Sequence, residues 1–184
     1  MSEEIDVRSQ TSDITHLILT SDFTMFRVKS SFKKEFEVAA PLQRVHDFFA
    51  DLKNLSEMLW GIEGIHREPG LARWTIATDT PVGRIRFSFP VRDTSPNPNT
   101  IEWVPALNET KNLLRYSLKF SNDNGLTRVD ISQQVELRRK RAWELHPGVA
   151  LMSEARLNSA LQRRINAAIE DFLERVKEKL EGSK

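Results

Sequence analysis

Four histidines, His16, His46, His66 and His146, stand singly in the sequence, with no HExxH pair and no paired carboxylates at metal-binding spacing, so their pattern describes no metal site. The chain has no cysteine, which removes disulfides, thiolate zinc sites and thiol nucleophiles. It also lacks a GxSxG elbow and a glycine-rich phosphate loop following a strand, so hydrolase, nucleotide-binding and kinase chemistry are not indicated, and no cofactor is expected. What remains are two polar residues in step with apolar neighbours. Gln133 shares alternate spacing with Val129, Ile131 and Val135, and Tyr116 shares it with Leu114 and Leu118. A polar group on an inward face must find a partner or a ligand. Either the pair orients a carbonyl or hydroxyl of an otherwise apolar ligand, or Gln133 bonds backbone at a bulge and Tyr116 extends its hydroxyl to a rim. Arg138 to Arg141, followed by Trp143, is the densest charge run. With 27 basic and 26 acidic residues and a net charge of +1, it reads as a solvated strand end, and no nucleic-acid partner is expected.

The elements that must position these residues are legible in the spacing. From Gly148 to Glu181, apolar residues at Leu157, Leu161, Ile165, Ala168, Ile169, Phe172, Val176 and Leu180 form one stripe of a long α-helix, with charged residues such as Arg156, Arg163, Arg164 and Glu170 between them. Such a helix needs a broad apolar surface to cover it. Phe32, Phe36 and Val38 mark a first main strand, and Pro41 opens a helix carrying Leu42, Val45, Phe48, Phe49 and Leu52. Asn54 is the expected cap of a second short helix. From Gly61 to about Leu137 the period changes to two, interrupted by turn sequences at Glu68-Pro69-Gly70, Thr80 to Gly83, Ser95 to Asn99 and Asn122 to Gly125. The inward sets are Trp74 and Ile76; Ile85, Phe87, Phe89 and Val91; Ile101 and Trp103; Leu114 to Phe120; and Val129 to Leu137. The alternating faces describe an antiparallel meander with one wet side.

Strand, two short helices, about six antiparallel strands and a long helix form an α+β order. Together with the phrase Phe36-Glu-Val-Ala-Ala-Pro41-Leu-Gln-Arg-Val45-His-Asp-Phe-Phe49-Ala-Asp-Leu52 and with Gly125-Leu-Thr-Arg-Val-Asp-Ile131, this order resembles the SRPBCC superfamily, which holds the START, birch-pollen-allergen-like, polyketide cyclase/dehydrase and lipid transport proteins. The resemblance covers roughly Phe32 to Leu180. It implies a helix-grip fold: a curved antiparallel sheet of about seven strands wrapped around a long C-terminal helix, enclosing an apolar cavity. The cavity lining it implies comprises Phe49, Leu59 and Trp60 from the helical segment; Trp74, Ile76, Phe87, Phe89, Trp103, Tyr116, Leu118, Ile131 and Gln133 from the sheet; and Leu157 and Leu161 from the long helix. Phe49, Leu55, Met58, Leu59 and Trp60 form either a lid over the mouth or plain core. Periodicity selects inward side chains and leaves packed core and pocket equally open.

The expected organisation is an N-terminal arm over residues 1–30, with an extra hairpin formed by two apolar segments, Ile14 to Thr20 and Phe23 to Val28, then a single domain over 31–181. The polar start and the absence of any apolar run near 20 residues give a cytoplasmic protein without membrane insertion as the expectation. The leading function is binding or transport of a hydrophobic small molecule such as a lipid, quinone, sterol or polyketide-like aromatic, by a monomer or homodimer. Two alternatives stand beside it: a cyclase/aromatase in which Tyr116 guides proton transfers, and an accessory module that contacts another chain through the arm. The first half of the long helix is the expected ligand wall and the second half the solid core.

Overall fold

The structure, a computed structural model, describes residues 25–80 and 83–182. Its strands are β1 (Phe26–Val38), β2 (Ile62–Glu68), β3 (Leu71–Thr80), β4 (Gly83–Asp93), β5 (Thr100–Pro105), β6 (Asn112–Asp123) and β7 (Leu126–Arg139). They pair antiparallel in one sheet of order β1-β7-β6-β5-β4-β3-β2. Helices α1 (Leu42–Ala50) and α2 (Leu52–Met58) lie between β1 and β2 in the chain, and α3 (Glu154–Glu181) closes it. This is the helix-grip arrangement.

The inward face of β7 shows why the sheet holds together. Thr127, Val129, Ile131, Gln133, Val135 and Leu137 alternate buried with more exposed neighbours. Phe36, Phe32 and Val28 of β1 stand directly opposite Val129, Gln133 and Leu137, so two long strands share one apolar surface. Asn124 and Gly125, with φ of 51° and 87°, make the two-residue turn that joins β6 to β7 in register Asp123 opposite Leu126.

Three expectations change. The long helix begins at Glu154 and not at Gly148: Pro147–Leu151 forms a 3-10 turn, and Ser153 caps the helix by accepting the Arg156 amide at 3.4 Å. Asp51, not Asn54, caps α2, accepting the Lys53 amide at 2.9 Å, while the Asn54 side chain donates back to the Phe48 carbonyl. The first strand runs back to Phe26, so 26–30 of the expected arm belong to β1; residues 1–24, which hold Ile14 to Thr20 and the start of the second arm segment, lie outside the described residues.

The length of β1 has a specific cause. It is an edge strand, and an edge exposes unpaired amides. Glu154, Asn158 and Gln162 of α3 accept hydrogen bonds from the amides of Arg27, Lys29 and Ser31 at 3.1, 2.7 and 3.0 Å. Four helical residues advance about 6 Å and two strand residues about 6.6 Å, so the two ladders stay in step. Gln162 also donates to the Ser31 carbonyl at 2.6 Å and accepts from the Ser30 hydroxyl at 3.0 Å. Gln162→Ala is expected to cost about 1–2 kcal/mol in urea denaturation and to speed hydrogen exchange at the Ser31 amide.

The helix packs differently along its length. Ile169, Phe172, Leu173, Val176 and Leu180 are buried, whereas Leu157, Leu161, Ile165 and Ala168 are only partly so. The buried half meets α1 and the far end of the sheet. Phe49, fully buried, stands within 5.6–6.3 Å, ring centre to ring centre, of Phe48, Phe120, Phe172 and Phe36. The solid core is there.

Candidate functional site

The half-covered part of α3 faces two adjoining apolar cavities. The first, about 80 Å³, lies among Leu59 to Ile62, Ile76 to Thr78 of β3, Phe87 and Phe89 of β4, Gln133 to Leu137 of β7, and Leu161 to Ile169 of α3. The second, about 100 Å³, continues toward the start of α3, where Val28, Ile85, Leu145, Val149, Met152, Leu157 and Ala160 enclose it. Thr78, Phe87, Leu137, Leu161 and Arg164 border both, so a single layer of side chains separates them. Each is smaller than the about 150 Å³ at which a dry apolar cavity takes up benzene. A ligand of any size must part that layer or extend past the rim.

The rim is built by the turn after α2. Gly61 adopts φ of 92°, where a side chain is strained, and its carbonyl accepts the Ala77 amide at 2.8 Å; a Cβ at this position would stand 3.2 Å from the Ala77 oxygen. The turn therefore lies close on β3 and leaves Trp60 about half exposed at 53%. Glu63, just beyond, receives Arg84 at 2.8 Å and Arg86 at 2.6 Å, tying edge strand β2 to β4. The hydrogen bond from Arg86 is the main cause that holds the Glu63 carboxyl below the ordinary carboxylate range. A depressed carboxylate stabilises the fold above its unfolded pKa of about 4.5, and that contribution is lost as pH falls through the lower folded value. Glu63→Gln is expected to flatten the acid limb of the stability profile, read as urea midpoints between pH 3 and 6.

Polar groups on the walls are few: Thr78, Asp79, Gln133 and Arg164. Gln133 is 8% exposed, and its side chain makes no hydrogen bond to another described residue. The register through β1, β7 and β6 is unbroken around it, so no bulge offers it a backbone partner. Tyr116 stands directly opposite Gln133 and also opposite Trp103. Its ring is 5.8 Å from that of Trp74, and both Tyr116 Oη and Trp74 Nε1 are buried without a protein hydrogen bond. Burial pushes the Tyr116 phenol well above its ordinary pKa, so it stays protonated and offers a hydrogen bond, not a base. Because its hydroxyl carries a desolvation cost without return, Tyr116→Phe is expected to stabilise the fold by about 1 kcal/mol in urea denaturation. A loss of stability would instead reveal an internal water as its partner.

Of the residues expected to line a cavity, Leu59, Trp60, Ile76, Phe87, Phe89, Gln133, Leu157 and Leu161 border one or both cavities. Phe49, Trp74, Trp103, Tyr116, Leu118 and Ile131 do not; they are buried in the core cluster. The difference follows from coverage, since Phe49 packs beneath the second half of α3 and the others lie on the sheet away from the opening. The lid set divides in the same way: Phe49 and Leu55 are core, Met58 packs partly buried against it, and Leu59 and Trp60 are wall and rim. Within the run Arg138 to Arg141, Arg138 meets Glu136 at 2.8 Å and Arg139 meets Asn112 at 2.8 Å. Among the described residues no group of three or more His, Asp or Glu side chains could hold a metal ion, and no helix is long and apolar enough to cross a membrane.

No protein-family model and no curated protein sequence matches the chain. Solved structures do match it in fold. Zhui aromatase/cyclase from Streptomyces sp. R1128 aligns over 83% of this chain and 94% of its own at 13% identity, with a TM-score of 0.58. A START superfamily protein from Mycobacterium smegmatis aligns over 84% and 99% at 12% identity, with a TM-score of 0.56. The di-domain aromatase/cyclase StfQ from the steffimycin biosynthetic pathway aligns over 84% of this chain and 51% of its own at 14% identity, with a TM-score of 0.58, so the present chain spans about half its length. At these identities the likeness is one of fold: the chain shares the helix-grip fold of these structures.

Proposed function

We propose that the protein binds and carries a hydrophobic small molecule between the sheet and the first half of α3. The observation that carries this reading is the contrast along one helix: the same apolar stripe is buried from Ile169 onward and faces cavity space before it. A packed core leaves few voids larger than a water molecule, so two adjoining apolar ones under one helix favour a binding site over packing alone. Apolar contact supplies affinity at roughly 25 cal/mol per Å² buried, and Gln133, unpartnered on the wall, supplies orientation. Their volumes favour a narrow chain or a single ring over a sterol.

Carriage is favoured over proton-transfer catalysis because the described walls hold no histidine, and Asp79 is their one carboxylate. Tyr116, the acid or base of the alternative reading, sits behind the wall with its phenol held protonated. The test is native mass spectrometry of the purified protein for a retained small molecule, followed by titration of the extracted compound. Gln133→Leu is expected to weaken that compound about threefold to tenfold, the worth of one neutral hydrogen bond. Absence of any retained or added apolar ligand, with the cavities closed in a crystal structure, sinks the reading.

A further inference from the structure

Arg164 is the charge that the apolar stripe of α3 carries where it borders the cavities. It follows Leu161 by three residues and Leu157 by seven, and precedes Ala168 by four, so it points where the neighbouring leucines point. Its side chain borders both cavities. Nη1 donates to the Thr78 hydroxyl at 2.8 Å, and the guanidinium carbon stands 6.0 Å from the Trp60 ring centre. Those contacts fix the group across the rim while leaving most of its donors unspent. Several arginines of the sheet have acids: Arg84 and Arg86 share Glu63, Arg73 meets Glu68, and Arg128 meets Glu35, Glu37 and Asp123, whereas Arg67, Arg92 and Arg115, which border neither cavity, have none among the described residues. Arg164 has no carboxylate within 4.0 Å among the described residues, and Asp79, the acid on the second cavity's wall, faces Arg84 at 3.9 Å.

A cation held at the mouth of an apolar space, short of an anion, defines an amphiphile with its charge at the rim. Resting on the binding function proposed above, we propose that the ligand is a monocarboxylate with an apolar chain or ring. Its carboxylate pairs with Arg164 beside Thr78 and Trp60, and its tail enters between Phe87, Leu161 and Ala168. The planar guanidinium suits a carboxylate because it offers paired donors in one plane. Asp79 opposes the anion weakly, being exposed and turned toward Arg84.

The test compares matched acids and primary amides: hexanoate, decanoate and 4-phenylbutyrate against hexanamide, decanamide and 4-phenylbutanamide, titrated by calorimetry into the full chain at pH 7.5. Wild type is expected to bind at least one acid about tenfold more tightly than its amide, the worth of a hydrogen bond to a charged group. R164Q removes that preference mainly by weakening the acid, R164K restores part of it, and D79N raises acid affinity modestly. Thermal melts of each variant confirm that the fold is kept. Equal binding of acid and amide by wild type, or an equal loss of both in R164Q, overturns the carboxylate assignment and leaves the binding function standing. If no member of either series binds wild type, the carboxylate assignment falls, and native mass spectrometry for a retained compound decides the binding function separately.

Discussion

Phe49→Ala is expected to remove about 3–5 kcal/mol of folding stability, the range for deleting a buried aromatic ring. A domain of this kind has about 5–15 kcal/mol in total, so the variant falls to the edge of folding. The loss is concentrated because four aromatic neighbours converge on one ring. Phe48 and Phe172 meet it edge-on, Phe36 does so from β1, and Phe120 tilts against it from β6. One side chain thus joins α1, both sides of the sheet's β1-to-β6 region and the second half of α3. With 0% exposure, its removal leaves a hole that β1 and α3 cannot close without breaking the ladder from Glu154, Asn158 and Gln162. Equilibrium urea denaturation checks the prediction, and a cost below about 1 kcal/mol would show that α1 is dispensable to the core. Since Phe49 borders neither cavity, ligand affinity per folded molecule should change far less than stability.

The strands whose inward sets were visible in the sequence are those buried on one face. In β6 and β7, Leu114, Tyr116, Leu118 and Phe120, and Val129 to Leu137, alternate because each alternate residue lies on the core. β2 has no such signal: it is an edge strand of seven residues without a fully buried position, so nothing enforced a period of two. The start of α3 was obscured because Val149 and Met152 fall close to the helical spacing while belonging to a 3-10 turn and its cap. Leu173 was missed beside Phe172, although the buried stripe is wide enough to take both.

The site was legible by half for a physical reason. Alternation tells which way a side chain points, and the distance between helix and sheet decides whether it meets packing or space. That distance is set in part by polar residues that carry no hydrophobic signal, Glu154, Asn158 and Gln162, which fasten α3 to the β1 edge. Their spacing of four was present in the sequence, but its meaning required the edge strand beside it. In the sequence Arg164 falls among the charged residues between the apolar positions; its hydroxyl partner Thr78, 86 residues away, and the two cavities set it at the edge of the apolar stripe instead.

Ala168→Phe should abolish ligand binding while leaving the fold intact. Ala168 borders the first cavity, is only partly buried, and lies one residue before the point where α3 becomes solid core. Phenylalanine there adds a benzene-sized ring to a space of about 80 Å³, below the about 150 Å³ that accepts benzene comfortably. Overpacking a closed core costs about 1–3 kcal/mol, but this space adjoins a rim at Trp60, and the ring can displace toward it. The stability cost is therefore expected at the lower end, about 1 kcal/mol. Affinity for any tail that enters between Phe87 and Leu161 should fall by about 100-fold or more, equivalent to about 2.7 kcal/mol. Ala160→Phe provides the matched probe of the second cavity, since Ala160 borders that space and not the first. Loss of binding in both variants marks a ligand that spans the layer of Phe87, Leu137 and Leu161, whereas loss in Ala168→Phe alone confines it to the space beneath Trp60. Retention in both, with unchanged melting curves, would place the ligand outside the grip of α3 altogether.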